Sequence, residues 1–202
     1  MKPIYVVTAC LLLLVLSGCV TSTKINQSIN SERHQQQLSN LTNWKIKGRL
    51  AFKSEEEKVS AYMNWQQGTN QFDLQLNTFI GTNILKMQSD DNYTSLEVDD
   101  QTYTDTDANR LIFRVTGWNI PVEKLGLWVK GQHTEKDNVV YDEFGLVSQL
   151  EAKCRECVPW TLTFSDYQKV EGLWLPHLIQ LTNTQNVANQ IKIKISSWQK
   201  MQ

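Results

Sequence analysis

The 202-residue chain carries 20 basic and 21 acidic side chains, a balance that leaves no electrostatic footprint for nucleic acid. Set apart from a leader, the length amounts to one domain, enough to bury a core without disulfide or metal staples. Three histidines, and no Gly-x-Ser-x-Gly, His-Glu-x-x-His or phosphate-cradling Gly-rich loop, leave little for catalysis. The expectation is a protein that is not an enzyme and takes no cofactor or metal.

In chain order, Met1 and Lys2 precede an apolar run from Ile4 to Leu16, the length of a secretory h-region and too short to span a bilayer. The run ends in Leu16-Ser17-Gly18-Cys19, which resembles the bacterial lipobox, where small residues expose the bond before an acylated cysteine. On that reading residues 1–18 are a signal peptide and Cys19 carries the lipid. Val20 follows it, and by resemblance to proteobacterial lipoproteins the lack of Asp there implies the periplasm-facing inner leaflet of the outer membrane. Residues 19–43 are rich in Ser, Asn and Gln and read as a tether with a short helix around residues 28–41, a leash outside the core. Cys10 falls in the leader. Cys154 and Cys157 would meet an oxidising periplasm, where a short disulfide in a turn is expected, with a redox motif and half a metal site as open alternatives.

At Trp44 the pattern changes to period two. Trp44, Ile46, Leu50 and Phe52 share one face and Lys45, Lys47, Arg49 and Lys53 the other, which predicts a half-exposed strand. The alternation returns at Val59, Ala61, Met63 and Trp65, at Phe72, Leu74 and Leu76, and at Leu85 and Met87, a predicted antiparallel meander. The acidic runs Glu55-Glu56-Glu57 and Asp99-Asp100 read as solvated turn charge.

Asp105 or Asp107 would cap a helix over residues 108–116, with Leu111, Ile112 and Val115 on one side and Gly117 at its end. Pro121 starts a second, with Leu125, Trp128 and Val129 as its apolar stripe and Gly131 closing it. Strand signals resume over residues 139–141, 146–150, 160–164, 173–181 and 190–197. Strands, two helices, then strands argue for a curved antiparallel sheet with helices on its concave side. All seven tryptophans lie after the leader, and this apolar content suits either a core or a cavity lining, which periodicity does not separate.

The lipobox and polar leash, the Trp44 to Leu50 segment W-x-x-x-G-R-L, and the strand Met63-Asn64-Trp65-Gln66-Gln67 together resemble the LolB family of outer-membrane lipoprotein receptors. So do the hairpin Leu76-Asn77-Thr78-Phe79-Ile80-Gly81-Thr82, the junction Thr116-Gly117-Trp118-Asn119-Ile120-Pro121, and the segment from Leu125 to Gly131. The resemblance runs through nearly the whole chain after the leader and makes residues 44–202 the lipoprotein-binding domain. It implies a mainly β fold with α, an unclosed antiparallel β-barrel or half-barrel whose concave side is covered by short α-helices, as in the soluble carrier LolA. The implied activity is to accept triacylated lipoproteins from a LolA-like periplasmic carrier and insert them into outer-membrane lipid, as a monomer.

A triacylated cysteine exposes several tens of methylenes, and at about 0.8 kcal/mol per CH2 its chains must be hidden from water. Met63, Trp65, Leu74, Leu76, Leu111, Val115, Trp128 and Val129 are the candidates for an acyl-chain cavity, with plain core as the alternative for each. Phe79 and Ile80 sit side by side before Gly81 at a turn tip, where backbone normally faces water. The resemblance makes Phe79, Ile80 and Gly81 a protruding membrane-insertion loop, although the family's commoner form is Pro-Leu-Gly. Arg49 reads either as wet-face charge or as a contact for an acidic carrier. The rival to a receptor is a scaffolding lipoprotein with a filled core.

Overall fold

The computed structural model describes residues 25–153 and 159–201; Cys19, Cys154 and Cys157 lie outside them, so the lipid attachment and the disulfide stay expectations. Helix α1 (Ser31–Asn40) comes first, followed by β1 (Trp44–Lys53), β2 (Lys58–Gln67), β3 (Phe72–Asn77), β4 (Asn83–Ser89), β5 (Thr94–Val98) and β6 (Gln101–Asp105). Helices α2 (Ala108–Thr116) and α3 (Val122–Trp128) interrupt the strands. Then come β7 (Asn138–Tyr141), β8 (Val147–Glu151), β9 (Trp160–Val170), β10 (Leu173–Asn183) and β11 (Gln190–Lys200).

The strands form one sheet of eleven in the order β6-β5-β4-β3-β2-β1-β11-β10-β9-β8-β7. Two antiparallel meanders run away from each other and are joined where the first strand pairs with the last, Leu50 opposite Ile193 and Phe52 opposite Ile191. The ends of the order, β6 and β7, remain unpaired with each other, so the sheet is an unclosed barrel. The helices that link those two edges in sequence cover the opening: α2 packs on β5 and β6, and α3 on α2.

Alternation places Trp44, Ile46, Leu50 and Phe52 inside and Lys47, Arg49 and Lys53 outside, as the sequence predicts. Gly48 has a specific role in this strand. The register between β1 and β11 shifts there, and a Cβ on Gly48 would lie 2.2 Å from the backbone oxygen of Lys194.

The strands β5 and β6 are additions to the sequence reading. Asp99 and Asp100, read there as loop charge, both take positive φ, 52° and 60°, and form the two-residue turn of a tight hairpin. Asp107 is the N-cap of α2, its carboxylate accepting the Arg110 N–H at 2.9 Å, and Gly117 ends that helix in the left-handed region. Asp105 instead anchors the helix to β6 by accepting hydrogen bonds from the guanidinium groups of Arg110 and Arg114.

The largest departure concerns α1. Its residues are polar enough to read as a leash, yet the helix docks on β10 with Leu38 fully buried and His34 nearly so. The chain is already tied down at Ile29, whose N–H donates to the Phe144 carbonyl at 2.7 Å, and Ser31 Oγ donates to the Gly145 carbonyl.

Candidate functional site

The eight cavity candidates converge. Met63 and Trp65 from β2 and Leu74 and Leu76 from β3 point inward, and Leu111 from α2 and Trp128 and Val129 from the end of α3 meet them in one apolar cluster. Val115 is half-buried against it. Seven of the eight are buried, and none of the eight lines the cleft between α1 and α3 or the cleft at the β2–β3 turn. The cleft between the end of α1 and α3, floored by Trp44, Phe72 and Leu127, has a volume of about 220 Å³, below the roughly 300–1,000 Å³ of a drug-sized ligand pocket. It cannot hold a set of acyl chains. A larger cleft of about 690 Å³ at the other side of the β2–β3 turn is lined mainly by polar groups such as Gln66, Asp73 and Asp90.

Two features mark the interior as more than a simple core. The indole N–H groups of Trp65 and Trp160 are buried without a hydrogen-bond acceptor among the described residues, a state that costs free energy. The helical cover is also short. Helix α3 has seven residues and no side-chain N-cap hydrogen bond, and it packs chiefly on α2, itself nine residues long.

The hairpin between β3 and β4 is the clearest surface feature. Phe79 and Ile80 are 85% and 84% exposed, against the burial expected of large apolar side chains. The loop that carries them is nonetheless tied. Thr78 N–H donates to the Thr82 carbonyl at 2.8 Å, Thr78 Oγ1 accepts the Thr82 N–H at 3.0 Å, and Gly81 turns the chain with φ 90°. The apolar pair is therefore held in water by its backbone. At the loop's base the Phe79 ring lies 6.3 Å from that of Tyr62, and the Arg49 guanidinium sits 4.8 Å from the Tyr62 centroid and donates to its hydroxyl at 2.8 Å.

Elsewhere the polar groups serve the fold. Among the described residues no three His, Cys, Asp or Glu side chains come together as a metal site. His34 Nε2 donates to the Trp174 carbonyl at 2.9 Å and His177 Nδ1 to that of Ile195 at 3.0 Å, and burial lowers both imidazole pKa values. Glu57 accepts the Trp118 indole N–H, which joins the β1–β2 turn to the Gly-Trp-Asn-Ile-Pro junction, and Trp118 stacks on Phe52. Lys130, invisible to the sequence reading, is buried and donates to the carbonyls of Leu38 and Leu41, both at 2.9 Å.

Comparison with known proteins places this architecture. The family model described as outer membrane lipoprotein LolB matches residues 42–198. This chain belongs to the LolB family. An outer-membrane lipoprotein LolB of Shewanella woodyi is 32% identical over 185 residues, covering 92% of this chain and 84% of that protein. The LolB of Aeromonas salmonicida is 30% identical over 187 residues, covering 92% of both. In fold the chain is similar to a LolA superfamily protein of Nitrosomonas europaea, with a TM-score of 0.54 at 5% identity over 87% of this chain and 95% of that one. The unclosed sheet with a helical cover is thus the LolA-like fold, and membership of the LolB family supports a role in lipoprotein localisation.

Proposed function

We propose that this protein is a lipid-anchored receptor at the inner leaflet of the outer membrane, without catalytic activity. It takes triacylated lipoproteins from a LolA-like periplasmic carrier and passes them into the membrane. Residues 1–18 leave as a signal peptide, and the lipid sits on Cys19. The observation that carries the reading is the pairing of an apolar interior under short helices with a hydrogen-bonded hairpin that keeps Phe79 and Ile80 in water.

Each part has a physical task. The packed interior is the resting state, and incoming chains displace α2 and α3 from the sheet rather than enter a standing void. Apolar contact with Met63, Trp65, Leu74, Leu76, Leu111, Val115, Trp128 and Val129 is then exchanged for contact with acyl methylenes, so the exchange costs little net free energy. The unpartnered N–H groups of Trp65 and Trp160 find acceptors in the ester carbonyls that accompany the chains. The Phe79, Ile80 and Gly81 tip enters the bilayer and brings the opening to the lipid surface, where the chains leave.

The test is a transfer assay with carrier loaded with radiolabelled lipoprotein, followed by pull-down of each protein. Label moving from carrier to this protein supports the receptor. Label that stays on a competent carrier while this protein is folded supports the rival, a scaffolding lipoprotein whose core never opens.

A further inference from the structure

The strands β2, β1, β11 and β10 are consecutive neighbours, and together they carry eight Lys or Arg and not one Asp or Glu. In a chain whose charges nearly cancel, this is a strong segregation of sign. Most of these cations alternate to the convex face. Arg49 lies directly opposite Lys194, and Lys192 opposite Ala51 one row further along. Like charges opposed across a ladder repel, and among the described residues none of these cations forms an ion pair. The face is therefore held in a state that an external anion would relieve.

Its position says which anion. The row through Lys194, Arg49 and Tyr62 ends at Asn77, the last residue of β3, from which the loop that carries Phe79 and Ile80 departs. The Arg49–Tyr62–Phe79 contacts make the cations and the apolar tip one continuous surface. Apolar side chains at a tip with Lys and Arg behind them are the arrangement that binds a membrane interface, the apolar part entering the acyl boundary and the cations meeting headgroups.

We infer that Arg49, Lys192 and Lys194 form a binding surface for anionic phospholipid headgroups, which seats the Phe79–Ile80 loop in the bilayer. The inference rests on the membrane-facing reading of that loop. It assigns the convex face to lipid rather than to a carrier protein, and it makes loop insertion depend on lipid charge and on salt.

The experiment uses the full lipidated chain reconstituted in vesicles of phosphatidylcholine alone or phosphatidylcholine with phosphatidylglycerol, reading amide exchange of the segment 77–83. The native protein should show exchange slowed by at least about ten-fold with phosphatidylglycerol over phosphatidylcholine, and added salt should remove the difference. Arg49→Gln, Lys192→Gln and Lys194→Gln together should abolish it with unchanged thermal unfolding, whereas Arg49→Lys alone should keep it. Equal protection in both vesicles, unaltered by the triple substitution, overturns the headgroup surface and leaves the loop reading intact. No protection in either vesicle removes the loop reading and this inference with it. A triple variant that inserts normally but no longer accepts cargo from carrier makes the face a protein-docking surface, and also overturns it.

Discussion

The Lys130 ammonium nitrogen lies 2.9 Å from the carbonyl oxygen of Leu38, across the gap between the last turn of α1 and the end of α3. With Leu41 as its second acceptor it donates to two carbonyls at the helix end, that of Leu38 also accepting the Leu41 N–H at 3.2 Å, and so fastens the docked α1 to the helical cover. Burial lowers its pKa from 10.5 to about 8.

That shift fixes a pH dependence. Between about pH 8 and 10.5 the folded protein has given up the Lys130 proton while the unfolded chain still holds it, so the unfolded state binds more protons and stability rises with pH across this window. A neutral amine keeps two N–H donors, enough for both carbonyls. Lys130→Met should lose that rising segment and, with the Leu41 carbonyl left without a donor and that of Leu38 keeping the Leu41 N–H alone, should cost roughly 1–3 kcal/mol at pH 7. Urea unfolding at a series of pH values checks both parts. Parallel curves for the two proteins across the window would show that Lys130 does not titrate there.

The exposed tip separates folding from function. Ile80 makes too little contact for its loss to matter to the fold, so Ile80→Glu should stay within about 0.5 kcal/mol of the native stability. Cargo should still move from carrier to the variant. Delivery into vesicles should fall steeply, because a carboxylate at the tip opposes entry into the acyl region. Loss of acceptance together with delivery would mean that the loop serves the carrier contact and not insertion.

Gly48 shows how much of a motif can be structural. An alanine there would bring Cβ within 2.2 Å of Lys194 O and 3.0 Å of Ile195 Cα, backbone atoms that no side-chain rotation can move away. Gly48→Ala should therefore destabilise by about 1–3 kcal/mol through separation of β1 from β11. Denaturant unfolding gives the value, and exchange of the β1 and β11 amides locates it. A stability equal to the native one would show that the strand junction relaxes freely.

What could be read in the sequence follows from which signals are local. Strands with a buried and a wet face announced themselves at Trp44 to Phe52 and Val59 to Trp65, because period two survives any tertiary arrangement. In β6, Tyr103 alone is large and apolar, so an edge strand with little to bury left no pattern, and its aspartate turn looked like loop. Helix α1 failed differently. One leucine in ten residues is a weak stripe, and its docking depends on His34, Gln35 and Ser31 reaching backbone carbonyls far along the chain. Lys130 was hidden for the same reason, since its partners lie some ninety residues away. Phe79 and Ile80 were legible because two large apolar residues beside a turn glycine break the rule that tips are polar. The packing of the cavity candidates was not, because period two gives a side chain's face and says nothing of whether a void lies beneath it.

If the interior is a resting state that opens, the cover and the sheet must respond unequally to ligand. Helices α2 and α3 are short, and α2 is fastened to β6 through Asp105, whose pKa the Arg110 side chain holds far below the usual carboxylate range. The ladder of β2, β1 and β11 is long and paired on both sides. Loading the protein with a fluorescent fatty acid should therefore speed amide exchange in 108–116 and 122–128 by roughly ten-fold or more, the signature of a low-stability unit opening. Amides of β1 and β11 should keep their native protection. Asp105→Asn, which weakens the tie to both arginines, should raise the affinity for the fatty acid, because a cover that is already loose opposes entry less. Uniform protection across helices and sheet, with bound probe, would place the acyl chain outside the barrel and leave the packed residues as ordinary core.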